Sequence, residues 1–128
     1  MPSDRKRYTT GSPFEASMAY SRAVVQGDWC FVSGVTGYDY ETMSLPSDVP
    51  VQAEQAFKTI DGILVEAGFA LVDIVRVQYT VTDRDDVERL GPILKKWLGD
   101  VRPAATMVIA DLIQPEMKFE VEVTAFKG

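Results

Sequence analysis

Two carboxylates near the end of the chain, Glu120 and Glu122, are the residues best placed by type and spacing to do chemistry. They lie two apart in a run that alternates apolar and polar, so they share one face of a strand. If that face meets water they are ordinary surface charges. If it is buried between subunits, at least one carboxyl needs a partner or a raised pKa, and such a carboxyl can serve as a general acid or base. The second candidate is Ser33-Gly34, at a strand end, where a hydroxyl and backbone groups can be offered to a cleft. The 128 residues include no histidine. Ser33 therefore lacks the base that would make it a nucleophile, and a hydrogen bond to a ligand is its functional reading. The same absence excludes Cys-His catalysis, His-ligated metals and imidazole pH switching.

Other reactive residue types read as structural. Cys30, the single cysteine, sits between Trp29 and Phe31 in a strand, with no cationic neighbour to make it a thiolate. It is expected to be a buried, inert thiol. One cysteine also leaves no intrachain disulfide and no Cys-cluster zinc site. Asp85-Asp86 reads as a helix start without a third metal ligand at suitable spacing, and Trp97 as core or interface. No Gly-rich phosphate loop is present. No metal or cofactor is expected.

The elements that must position these groups follow from pattern. Residues 1–13 are polar, with Gly11 and Pro13, and read as a loose arm. Runs 20–26 and 29–35 form a hairpin about Gly27-Asp28, with Trp29, Phe31, Ser33 and Val35 on one face. Residues 38–50 form a loop. Ala53, Ala56, Phe57, Ile60, Leu64 and Ala67 recur at helical spacing, so 51–67 is a helix opened near Pro50 and capped by Gly68. Strand 74–82 places Val75, Val77, Tyr79 and Val81 on one side. Asp83 caps the next helical stretch, where Val87, Leu90, Leu94 and Trp97 share a face and Gly91-Pro92 should break or restart the helix. Strands 105–110 and 117–127 follow. The last has Phe119, Val121, Val123 and Ala125 on one face and Glu120, Glu122 and Thr124 on the other.

The order β-β-α-β-α-β-β is an α+β domain, and 128 residues make one domain. Two helices cover one face of its sheet. The other face still carries apolar groups, so a homo-oligomer with sheet-lined interfaces is expected. The net charge of −6, from 13 basic and 19 acidic residues, argues against nucleic acid as a partner. No segment has the ~20 apolar residues of a membrane span. The basic start lacks the apolar run of a secretory signal, so the cytoplasm is the expected location.

Several blocks in order carry a family resemblance. They are Phe31-Val32-Ser33-Gly34, Gln52-Ala53-Glu54-Gln55-Ala56, Ala67-Gly68 before Asp73-Ile74-Val75-Arg76-Val77, Val81-Thr82-Asp83, Arg102-Pro103-Ala104-Ala105-Thr106-Met107-Val108 and Glu120-Val121-Glu122-Val123-Thr124-Ala125. From about residue 20 to 126 the chain resembles the RidA/YjgF family. The resemblance implies a chorismate-mutase-like fold and a homotrimer, with the sheets around a central barrel and ligand clefts between subunits. Active members hydrolyse reactive enamines and imines to 2-oxo acids and ammonia without metal or organic cofactor. An arginine holds the substrate carboxylate, and a glutamate and backbone groups place the attacking water. Glu120 matches that glutamate, Ser33 and Gly34 match a cleft pair, and Phe14 stands near the place of a cleft tyrosine.

The chain departs from the family at the Pro-Ala-Arg-Ser/Thr signature, which here is Pro103-Ala104-Ala105-Thr106. Alanine cannot make the bidentate contact a carboxylate needs, and losing such a contact costs ~1.5–3 kcal/mol, roughly 10- to 150-fold in binding. Arg22 and Arg102 are the possible substitutes. Both read as surface residues, and Arg102 is offset from residue 105 by three, onto the other strand face. The expected site is a cleft between subunits beside Ser33, Gly34, Ala105, Met107 and Glu120, with Arg22 as a further ligand candidate. Ala105 and Met107 are expected on a strand neighbouring that of Glu120. The resulting expectation is a homotrimer that binds a small metabolite without the standard deaminase activity. One alternative is a metal-independent imine deaminase, acting on 2-iminobutanoate or 2-iminopropanoate, that uses another arginine. The other is a ribonuclease or translation inhibitor.

Overall fold

In a computed structural model, which describes residues 4–128, the chain forms one six-stranded sheet with its two long helices on one face. The elements in order are β1 (Lys6–Tyr8), α1 (Pro13–Ser17), β2 (Ala23–Gln26), β3 (Trp29–Thr36), α2 (Val49–Glu66), β4 (Ile74–Val81), α3 (Val87–Leu98), β5 (Ala104–Ile109) and β6 (Phe119–Phe126). The sheet order is β1-β2-β3-β6-β4-β5. All neighbours are antiparallel except β4 and β5, which α3 joins as a parallel pair. The β2–β3 hairpin turns on Gly27, whose φ of 58° suits glycine.

The core lies between the sheet and α2 and α3. Phe57, Ile60 and Leu64 of α2 are fully buried against Val77, Val81, Phe119 and Val121. Each such side chain contributes about 1.5–3 kcal/mol of burial free energy. Phe57 stacks on Trp97 of α3 at 5.8 Å, and Trp97 Nε1 donates to Glu54 at 2.9 Å. Cys30 is buried, and burial pushes its thiol up to about 11, which leaves it protonated and unreactive. Among the described residues no helix is long and apolar enough to cross a membrane.

Three expectations from pattern are corrected. The arm is not wholly loose: residues 6–8 form an edge strand on β2, while residues 1–3 lie outside the described part. Helix α3 runs unbroken through Pro92. The ring forfeits one backbone bond, but Leu90, Leu94, Trp97 and Leu98 anchor the helix on both sides of it. Two strands do not alternate throughout. In β3 the register with β6 slips between Val32 and Val35, and in β4 between Ile74 and Arg76. Each slip inserts a residue, so Val35 turns into the core away from Phe31, and Val75 turns out to solvent.

Candidate functional site

The bulge in β3 makes the site. Its extra residue falls at Ser33-Gly34, directly beside β6, where Thr36 pairs with Glu120. Gly34 has no side chain, and the Glu120 carboxyl occupies the room. A Cβ on Gly34 would stand 2.6 Å from Glu120 Cδ. Glu120 therefore lies across the backbone of the bulge, on the sheet face opposite α2 and α3. It lines a cavity of about 540 Å³ together with Ser33, Gly34 and Glu122, the rings of Phe14, Tyr20 and Tyr40, and Met117.

Burial pushes the Glu120 carboxyl above its ordinary value, and the neighbouring Glu122 pushes the same way against the pull of Arg22. No donor among the described residues bonds this carboxyl. A half-buried acid without an internal partner is free to bond what enters the cavity.

Arg22 is not a surface residue. It is wholly buried under the cavity floor, one position before β2, with its backbone N–H on Tyr8 O at 3.0 Å. Its guanidinium donates to Gly34 O at 2.7 Å and more weakly to Ser33 Oγ and Tyr20 OH, each at 3.4 Å. It stacks against the Tyr40 and Tyr20 rings, 4.8 and 5.5 Å from their centroids. Its Nε makes no hydrogen bond and stands 3.7 Å from Glu15 Oε2. Glu15 in turn accepts from Thr10 N and Oγ1 at 3.1 and 2.6 Å. Burial works against ionising Glu15, but the bonds from Thr10 and Thr9 and the Arg22 charge outweigh it and hold the carboxyl below its usual range. The Arg22 charge is thus spent on Glu15, two rings and a carbonyl, and Arg22 does not line the cavity. Ser33 is also committed, since its hydroxyl lies 3.1 and 3.0 Å from the carbonyls of Ser21 and Arg22.

The structure gathers Ser33, Gly34, Glu120 and Phe14 at one cavity and leaves Ala105 and Met107 elsewhere in the chain. Strand β5 is not next to β6, because β4 lies between them. Ala105 and Met107 pair with Val77 and Tyr79, whose side chains face the helices, so they sit on the opposite sheet face from Glu120. The crossover through α3 puts β5 at the sheet edge, where it is largely exposed. Arg102 is exposed in the turn before β5, with a φ of 55°.

Pattern alone missed Tyr20, Tyr40 and Gln52. Tyr20 lies two residues before Arg22, a spacing that puts both on one face of an extended segment and that the sequence does contain. Gln52 is buried in α2 and staples the loop ahead of β6. Its Nε2 donates to Pro46 O at 2.7 Å and Glu116 O at 3.0 Å, and its Oε1 accepts from Lys118 N at 2.9 Å. Those bonds fix Met117 at the cavity wall. Nothing local in the sequence marks that role, because the two partners that tie it to the loop ahead of β6 are 64 and 66 residues away.

Comparison with known proteins finds a family profile described as Endoribonuclease L-PSP over residues 10–127. A RutC family protein of Aquifex aeolicus is 34% identical over 110 residues, covering 84% of this chain and 88% of the relative. A protein of Escherichia coli, TdcF, whose name proposes a reactive intermediate deaminase, is 25% identical over 112 residues, covering 85% and 87%. Among solved structures, a Mycobacterium tuberculosis member of the YjgF/YER057c/UK114 family superposes with a TM-score of 0.88 at 33% identity. The match covers 97% of this chain and all of that one.

Proposed function

Since the chain belongs to the endoribonuclease L-PSP family, which takes in the YjgF and RidA proteins, we propose that it is a homotrimer that binds a small metabolite in clefts between subunits and lacks the standard imine deaminase activity. The observation that carries this reading is the Glu120 carboxyl: raised by burial, unbonded within the chain, and held over Gly34 in a cavity of about 540 Å³. In the proposed assembly neighbouring copies cover the open sheet face, where Trp29, Phe31 and Phe126 cluster. The exposed β5 edge of one copy, with Ala105 and Met107, closes the cleft that Ser33, Gly34 and Glu120 of the next begin. That edge brings a methyl group where an arginine would meet a carboxylate.

The substitute arginines fit poorly. Arg22 would have to leave Gly34 O, Glu15 and two rings, and a buried Glu15 would lose its counter-charge. Arg102 is exposed in the turn before β5 and does not line the cavity of its own chain. If the protein is an enzyme, it is a metal-independent hydrolase in which Glu120 bonds and places the water. The ribonuclease that the family's description names suits this site less. A phosphodiester calls for cations, and the cavity presents Glu120 and Glu122 with no lysine or arginine in its lining.

Light scattering on the eluting protein tests the assembly and should give about three times 14.2 kDa. Amide NMR during a metabolite screen tests the site. Shifts centred on Gly34, Met117 and Glu120 are expected, and shifts confined to another surface would refute the proposed cleft.

A further inference from the structure

The lining of the same cavity also speaks to the charge of its occupant. Two carboxyls, Glu120 and Glu122, face it from alternate positions of β6, and among the described residues of the same chain no cationic side chain lines it. The nearest cation, Arg22, is wholly buried and has Glu15 at 3.7 Å, so that pair adds no net positive charge. The walls are apolar and aromatic: Phe14 meets Tyr38 edge-on at 5.7 Å, and the Tyr20 and Tyr40 rings line the cavity with it. Electron-rich ring faces beside carboxylates attract an N–H cation attached to an apolar body. They repel a carboxylate, which would lose its hydration with no donor charge to replace it.

We propose that the cavity takes an organic ammonium or iminium compound with an apolar or aromatic body and no carboxylate of its own. The cationic nitrogen donates to Glu120, with Glu122 supplying further negative potential, and the body packs among Phe14, Tyr40 and Met117. This inference rests on the cavity being the ligand site, and it sets the ligand's charge opposite to that of a 2-imino acid's carboxylate.

Three probes with one phenylalkyl body and different charge test it: 2-phenylethylammonium, 2-phenylethanol and 3-phenylpropanoate. Each is titrated calorimetrically into the intact oligomer at neutral pH, and NMR shifts at Gly34, Met117 and Glu120 locate the binding. The ammonium probe should bind at least about tenfold more tightly than the alcohol, with the carboxylate weakest. Glu120→Gln and Glu122→Gln should each weaken the ammonium probe about fivefold and narrow its lead over the alcohol. Binding of the carboxylate or the alcohol in the cavity as tightly as the ammonium would overturn the charge assignment and leave the cavity as the site. Absence of any probe from the cavity would overturn the site reading and this inference with it.

Discussion

Gly34 and Gly37 are three residues apart and make opposite predictions. A methyl on Gly34 meets the end of the Glu120 side chain at 2.6 Å. A flexible side chain can swing away, so Gly34→Ala should leave stability within about 1 kcal/mol of wild type while displacing the carboxyl and abolishing ligand-induced NMR shifts at the cavity. A methyl on Gly37 meets Cα and Cβ of Gln52 in α2 at 2.6 Å. Backbone cannot yield in that way, and Gly37→Ala should cost about 1–3 kcal/mol in urea denaturation. Glu120 adds a pH prediction. Its folded pKa is raised, so its contribution to stability is present below the ordinary value of 4.5 and is lost as pH rises through the folded value. Glu120→Gln removes that loss. Denaturation of the two proteins across pH should show the variant gaining on wild type as pH rises from the acid side, and a gap independent of pH would refute the assignment.

At the scale of elements, α3 tolerates a proline that ought to divide it. Pro92 is exposed within the helix, so little burial offsets its missing backbone bond. Pro92→Ala should raise stability by about 1–2 kcal/mol, the helix gain being partly offset by a freer unfolded chain. The long amphipathic elements were legible because burial repeats at the element's own period, as in Ala53, Ala56, Phe57, Ile60 and Leu64 of α2 or Phe119, Val121, Val123 and Ala125 of β6. The bulges were not, because one inserted residue keeps the composition of a strand and changes only its faces. Val35 and Val75 look like their neighbours until pairing is known. Strand β1 is short, charged and held by one neighbour, so no apolar period announces it. Arg22 read as surface because its counter-charge, Glu15, comes from α1, and pattern predicts neither that helix nor its docking. Glu120, Ser33 and Gly34 were legible as candidates through spacing and family likeness. Their convergence on one cavity depends on the bulge.

On the scale of the whole molecule, the open sheet face is the largest unfinished surface. Trp29 and Phe31 remain 43% and 49% exposed on it, stacked on each other, with Phe126 tilted against Trp29, and such a cluster favours association with a like surface. The cavity opens on that same face, so the proposed assembly and the proposed ligand site are one question, and the residue at position 105 matters only if an edge strand from another copy reaches the cleft. The missing guanidinium is tested most directly by generating 2-iminopropanoate in situ and following its semicarbazide-trapped fraction with the intact protein present. Hydrolysis should not exceed the spontaneous rate, since the cavity's own lining offers the imine's carboxylate Glu120 and Glu122 and no lysine or arginine among the described residues, and the proposed neighbouring strand brings Ala105. Turnover comparable to that of an arginine-bearing relative would contradict the proposed loss of deaminase activity.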